Sequence, residues 1–228
     1  MQLEKILDCG LRDMGLVLAP PAREKLLRYV ALLEKWNKTY NLTAVRDPEQ
    51  MVPRHLLDSL SVLPYVQGAR LLDIGSGAGL PGIPLAIARP DLAVTLLDSN
   101  AKKTRFITHV THDLNLENAV IAEARVEKFH PPEKFDTLIA RAFASIPDML
   151  ASCRHLLAPT SRFLIMKGVF PQEELAAVTR EYQVDVQALR IPGVDGARHL
   201  VILTHRADTG APPHGQGTGD SQSERRGR

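Results

Sequence analysis

One short segment carries residue types at spacings that can hold a small ligand. In Leu71-Leu72-Asp73-Ile74-Gly75-Ser76-Gly77-Ala78-Gly79, a carboxylate stands two residues before a run of alternating glycines. Glycines let the backbone turn sharply and let a ligand approach the peptide groups closely. A carboxylate at the entrance favours a ligand with a positive end. Asp98, at the end of the next apolar run, can accept from both hydroxyls of a ribose. Gly77, Gly79 and Gly82 also satisfy the spacing of a dinucleotide fingerprint, so the loop alone leaves two cofactor classes open.

Such a loop works only if a strand delivers it and a helix carries it away. The periodicity predicts strands at Arg70–Ile74, Ala93–Asp98, Ala119–Ala122, Phe135–Ala140 and Arg162–Met166. Between them it predicts helices at Leu80–Ala88, Ala101–Leu114, Ile146–Leu157 and Gln172–Glu181. Alternation of this kind gives a mostly parallel sheet covered on both faces, with ligands at the carboxyl ends of the strands. Two late strands, Val184–Leu189 and His199–Thr204, are joined by the Gly-rich link Ile191-Pro192-Gly193-Val194-Asp195-Gly196 and read as an antiparallel pair. Residues 1–66 read instead as helices. One helix face carries Leu3, Ile6, Leu7 and Leu11, and another carries Leu26, Leu27, Val30, Leu33 and Trp36. A third helix spans Pro48 to Leu63, with Asp47 as its cap. The expected organisation is a helical region at 1–66, a ligand-binding domain at 67–206 and a disordered tail at 207–228, rich in Gly, Pro, Ser and Arg.

Two features favour S-adenosylmethionine over a dinucleotide. Asp73 suits a ligand with an ammonium and a sulfonium better than a pyrophosphate. Five parallel-type strands followed by an antiparallel pair also look like the seven-stranded, Rossmann-like sheet of class I methyltransferases. The acceptor is narrowed by what is missing. The place after the fourth strand holds Ala140-Arg141-Ala142-Phe143-Ala144-Ser145 and not the Asn/Asp-Pro-Pro-aromatic mark of exocyclic-amine methylation. Neither Cys9 nor Cys153 lies in a loop suited to a nucleophile for carbon methylation, and neither belongs to a metal-spacing pattern. No His or Glu stands out as a general base for an acidic O–H or C–H. A ring nitrogen with a free lone pair, such as guanine N7, needs no base, and its methylation depends mostly on alignment.

The stretch Trp36-Asn37-Lys38-Thr39-Tyr40-Asn41-Leu42-Thr43-Ala44-Val45-Arg46-Asp47 resembles the RsmG (GidB) family of bacterial 16S ribosomal RNA guanine-N7 methyltransferases. So do Arg54-His55-Leu56-Leu57-Asp58-Ser59-Leu60, Asp73 to Pro84, Leu96-Leu97-Asp98-Ser99, Arg125-Val126-Glu127, Arg141 to Ser145 and Lys167-Gly168. The resemblance covers residues 1 to about 205 and implies a substrate, one guanosine in the 530 loop of small-subunit rRNA. It implies that Gly75 and Leu80 contact the methionine end of S-adenosylmethionine and its surroundings, that Val126 and Glu127 lie along the adenine, and that Arg141 stands beside the cofactor as the catalytic residue facing the substrate. Asp73, Gly77 and Asp98 keep the cofactor-binding roles given above. No metal is implied, and no obligate protein partner beyond the small ribosomal subunit.

Arg125, Arg141 and Lys167 all fall at carboxyl ends of strands, and their grouping predicts a substrate grip on phosphates or the guanine edge. Lys102, Lys103 and Arg105 crowd the helix after Asp98. Trp36 and Tyr40, four apart, read as one helix face packed on the sheet, and His109 and His112 as solvent-facing. With 28 basic and 26 acidic side chains and a net charge of +2, affinity for RNA has to come from a local basic face. The 228 residues are 44% hydrophobic, enough for one globular core, and contain no apolar run long enough to span a membrane. The first ten residues mix charges among apolar positions, so the expected compartment is the cytoplasm.

Overall fold

The computed structural model describes residues 2–141 and 145–206. The expected tail and the segment 142–144 fall outside the described residues. At the centre is a seven-stranded sheet: β1 (Arg70–Ile74), β2 (Ala93–Asp98), β3 (Ala119–Glu123), β4 (Phe135–Arg141), β5 (Leu157–Lys167), β6 (Tyr182–Ala188) and β7 (His199–His205). Their spatial order is β3-β2-β1-β4-β5-β7-β6. The first five pair in parallel, while β7 runs antiparallel to both β5 and β6. This is the class I methyltransferase sheet, and the strand order switches direction between β1 and β4, where ligands bind in such folds.

The helices are α1 (Gln2–Asp13), α2 (Pro20–Tyr40), α3 (Pro48–Met51), α4 (Asp58–Leu60), α5 (Gly82–Ala88), α6 (Ala101–Asp113), α7 (Ile146–Cys153) and α8 (Gln172–Val178). Strand alternation sorts the core into two halves. Leu71, Leu96, Ile139 and Leu164 face one side, in a cluster continuous with Leu7, Leu26 and Leu33 from the N-terminal helices. Leu72, Leu97, Leu138 and Phe163 face the other, under α7 and α8 with Ile146, Leu150 and Leu175. Asp73 and Arg141 share the parity of Leu71 and Ile139, so both lie on the face toward the N-terminal helices.

Several elements differ from their sequence-based expectations for identifiable reasons. The third helix is not uniform: α3 runs into a π-helical turn, Val52–Leu57, before α4. Pro53 has no N–H to give to the α-helical ladder, and a wider turn absorbs the defect. The helix after the glycine loop begins at Gly82, not Leu80, because the N–H of Leu80 bonds the Ser76 carbonyl and so belongs to the loop. The helix expected to run to Leu157 stops at Cys153, passes through a tight turn and gives β5 five extra residues at its start. Ser161 fixes that added stretch by donating to the Phe135 carbonyl at 2.6 Å and accepting from the Ala158 N–H at 2.7 Å. Trp36 packs on α6, against Phe106 and His109, and not on the sheet. The sheet face is already covered by α5 and α6, so α2 forms an outer layer over both.

Candidate active site

β1 delivers the glycine loop onto the end of β2. The N–H groups of Gly75 and Ser76 both donate to the Leu97 carbonyl, at 2.8 and 3.0 Å. Gly75 and Gly77 adopt φ values of +67° and +61°, a left-handed backbone that side chains disfavour. A Cβ on Gly75 would meet nothing within 4 Å, and one on Gly77 only the Gly75 carbonyl at 3.8 Å. Both glycines therefore border open space. Gly82 is glycine for a different reason: a Cβ there would lie 2.5 Å from Leu96 and 2.7 Å from Asp73.

Two carboxylates frame that space. Asp98 is 7% exposed and accepts from the Gly77 N–H at 2.9 Å through Oδ2 and from the Asn100 N–H at 2.8 Å through Oδ1. Each oxygen keeps a further lone pair for a ribose hydroxyl. Asp73 is fully buried; its Oδ2 accepts from the Gly82 N–H at 2.8 Å, while its Oδ1 has no partner. Burial pushes the Asp73 carboxyl up to about 7, against the opposing pull of the Gly82 N–H and the Arg141 charge. A buried acceptor without a donor is costly, and an ammonium would both satisfy it and stabilise its ionised form. The residues present thus fit a cofactor carrying a ribose and a cationic amino-acid end. Leu80 is buried next to the loop, Val126 is buried in a tight turn after β3, and Glu127 is exposed on that turn.

A second feature lies at the same end of the sheet. Val45, Arg54, His55, Asp58, Arg141, Met166, Lys167, Gly168 and Arg198 line an open cleft of about 420 Å³. It lies over the carboxyl ends of β4 and β5. The motif Trp36 to Asp47 builds its rim. Buried Asn37 accepts from the Thr43 N–H at 2.8 Å and donates to the Val45 carbonyl at 3.2 Å. His55 lies 3.0 Å from the Arg54 carbonyl through Nδ1 and 2.9 Å from the Thr43 hydroxyl through Nε2. A carbonyl can only accept, so Nδ1 carries the proton and Nε2 accepts from Thr43. Burial and the nearby Arg141 lower the His55 imidazole to about 4, which keeps it neutral.

The predicted basic grouping is only partly realised. Arg141 and Lys167 share the cleft. Arg125 follows β3, three strands from β4, which at the spacing of neighbouring strands is roughly 14 Å away. It does not line the cleft, and the three cations form no single rim. Lys167 is held by both oxygens of Glu174 at 3.0 Å, and Glu174 also accepts from the Ile146 N–H. Lys103 turns toward Asp98 at 3.9 Å. His109 and His112 are exposed, and among the described residues no group of three or more His, Cys, Asp or Glu is placed to hold a metal. Cys153 is buried in the opposite half of the core, where burial pushes its thiol up to about 12, and Cys9 is exposed on α1.

Three residues of the site carry no local sequence signal for their role. Tyr29, fully buried on α2, donates to the Ala78 carbonyl at 2.8 Å and anchors the glycine loop. Asp58 and Arg198 meet across the cleft floor. The motif around Asp58 was visible in the sequence, but not what it binds.

Solved structures with this fold include the glycopeptide N-methyltransferase MtfA complexed with S-adenosyl-L-methionine, with a TM-score of 0.59 and 11% identity, covering 67% of this chain and 88% of that one. The N-methyltransferase NodS from Bradyrhizobium japonicum WM9 superposes with a TM-score of 0.53 at 15% identity, covering 78% and 98%. These likenesses establish the class I fold. Sequence relatives are much closer. A ribosomal RNA small subunit methyltransferase G from Hahella chejuensis is 50% identical over 205 residues, 90% of this chain and 94% of the relative. One from Pseudomonas aeruginosa is 52% identical over 200 residues, 87% of this chain and 94% of the relative. The family model described as GidB, rRNA small subunit methyltransferase G, matches residues 22–201, which include the glycine loop, both carboxylates and the whole cleft lining. With the fold, the loop and half the residues of full-length relatives in common, the chain belongs to the GidB family of small-subunit rRNA methyltransferases.

Proposed function

We propose that this protein transfers a methyl group from S-adenosyl-L-methionine to N7 of a guanosine in the 530 loop of 16S rRNA. Family membership supports the cofactor, the enzyme class and the RNA. The observation that carries the choice of atom is the chemistry of the cleft. Among the described residues it presents cations but no base free to take a proton. His55 has its Nδ1 proton on the Arg54 carbonyl and its Nε2 lone pair on Thr43. Asp58 is tied up by Arg141 and Arg198, and Glu174, outside the lining, by Lys167. An acceptor that must lose a proton finds no help there. Guanine N7 has none to lose.

The cofactor supplies a methyl on a sulfonium, and the nitrogen lone pair takes that methyl as the sulfur–carbon electrons return to sulfur. The protein's work is alignment and exclusion of water. In this reading Asp73 holds the ammonium, Asp98 the ribose hydroxyls, and Gly75, Gly77 and Leu80 leave and line the room between them. Val126 and Glu127 border the adenine. Arg141, at the end of β4 beside Asp73 and at the cleft wall, is the catalytic residue that meets both ligands. Lys167 contributes at the substrate wall while paired with Glu174; Arg125 can reach only RNA that extends past the β3 side. The division into 1–66, 67–206 and 207–228 is part of the same proposal, with the N-terminal helices forming one side of the RNA cleft. The compartment is the cytoplasm, where the small subunit is made. None of the described helices is long and apolar enough to cross a membrane.

The test is incubation with radiolabelled S-adenosylmethionine and small subunits lacking the modification, followed by cleavage specific for N7-methylguanosine. Label at one guanosine of the 530 loop is expected. Label in protein, at another RNA atom, or nowhere overturns the reading.

A further inference from the structure

The end of α2 and the first half of α6 form a surface that the cleft does not use. The two helices run antiparallel: Lys25 reaches the Asn115 carbonyl, Arg28 the Asp113 carboxylate, and Trp36 the rings of Phe106 and His109. The end of α2 therefore lies beside the start of α6, which opens just after Asp98. There the Trp36 ring lies 5.2 Å from that of Tyr40, at 30° between planes, and 5.2 Å from that of His109, at 32°. Packing on Phe106 half-buries Trp36. It does not account for two further rings set against the indole and left open, Tyr40 at 45% exposure and His109 also exposed.

Cations run beside these rings. Lys102, Arg105 and His109 are spaced three and four apart, so they share the exposed face of α6 along about 10 Å of helix. Lys103, off that face, turns to Asp98 at 3.9 Å instead. The carboxylates nearby are engaged elsewhere: Glu34 by Lys38 at 3.0 Å, Asp113 by Arg28 at 2.9 Å, and Glu123, beside Arg105, by the Thr104 hydroxyl at 2.5 Å. Among the described residues neither Lys102 nor Arg105 is ion-paired. Open aromatic rings flanked by unpaired cations complement a strand that alternates bases with phosphates, since any base has a face to stack and every phosphate a charge to neutralise.

We propose that this surface is a second RNA contact, separate from the cleft: an unpaired base stacks on Tyr40 beside Trp36, and Lys102 and Arg105 hold the phosphates next to it. Tyr40 also leads into the segment that carries Val45 to the cleft wall, so RNA held here is held beside the target. The inference rests on the substrate being RNA, whichever atom is methylated, and the mapping of wild-type product checks the atom separately.

The chain has one tryptophan, so its emission reports this surface alone. The test titrates the full-length protein with a hairpin RNA of the 530 loop and, separately, measures affinity for unmodified small subunits. The RNA should quench Trp36. Tyr40→Ala should weaken affinity for both RNA and subunits by roughly tenfold, the loss of one stacked base, and Tyr40→Phe should stay within about twofold of wild type. Lys102→Gln and Arg105→Gln should each weaken both and lower the slope of log affinity against log salt by about 1. Affinity for S-adenosylmethionine should be unchanged throughout, which a merely damaged fold would not allow. RNA that leaves the emission unchanged, or wild-type affinity in Tyr40→Ala, overturns the proposal. So do losses seen with subunits but not with RNA, which would make the partner a ribosomal protein. Should Tyr40→Ala not fold, the wild-type emission still decides the stacking and the exposed Arg105 the phosphate contact.

Discussion

The hydroxyl of Tyr29 on α2 reaches the carbonyl of Ala78 at 2.8 Å, across 49 residues of sequence, and it is the bond by which the N-terminal helices hold the glycine loop. Both groups are buried. In Tyr29→Phe the carbonyl loses its buried donor, which should cost about 1–3 kcal/mol of stability. Because the carbonyl belongs to the loop, cofactor affinity should fall as well. Thermal unfolding and calorimetric titration with S-adenosylmethionine check the two effects, and full affinity in a destabilised variant would show that Tyr29 supports only the fold.

Gly75 and Gly82 should respond differently to alanine. At Gly82 the new Cβ would collide with Leu96 and Asp73, so the damage falls on stability, about 1–3 kcal/mol as for other overpacked sites. At Gly75 the Cβ enters open space, and the backbone penalty of φ +67° is about 1–2 kcal/mol. The added methyl occupies the proposed cofactor space, so Gly75→Ala should lose cofactor affinity out of proportion to its Tm. Paired Tm and affinity measurements distinguish the two.

Asp73 makes cofactor binding depend on pH. Its carboxyl is pushed up to about 7 by burial, so in the free protein it is substantially protonated below that pH. An ammonium binds the carboxylate form. Affinity should therefore fall as pH drops through 7 and level off above about 8. Asp73→Asn should bind weakly at every pH and lose the dependence. The stability effect has the opposite sense: native Asp73 holds its proton more tightly than the unfolded chain, so the free protein loses stability from this group as pH rises from about 4 to 7. Asparagine should remove that loss.

His55 acts in the other direction. Its imidazole is lowered to about 4 from an ordinary value of 6.5, chiefly by burial. The unfolded chain binds the proton more readily, so this group's stability is complete above about 6.5 and is lost as pH falls toward 4. His55→Gln should flatten the acid side of a Tm-against-pH curve, and it should loosen the Thr43 to Val45 rim as judged by hydrogen exchange. An unchanged acid slope would place the acid sensitivity elsewhere.

The sequence by itself determined the parts whose physics is local. Strand alternation and the glycine loop depend on neighbours within a few residues, and β1 and β2 were legible to the residue, as was the Asp47 cap of α3, while the loop was legible in place but runs past Leu80 before the helix begins. The places of Asp73 and Asp98 beside the loop were legible because each ends or nearly ends a strand that the alternation marks. Their environments were not: that Asp73 is fully buried with one unpartnered oxygen depends on how α5 packs over β1. The cations show the same limit. Strand ends predicted where Arg125, Arg141 and Lys167 emerge, but strand order put Arg125 three strands away, and α8 gave Lys167 a partner in Glu174. Asp58, Arg141 and Arg198 come together only in the folded chain, across separations of 83 and 140 residues. No local pattern encodes such a meeting, because the strand order and the packing of the N-terminal helices on one face of the sheet decide it.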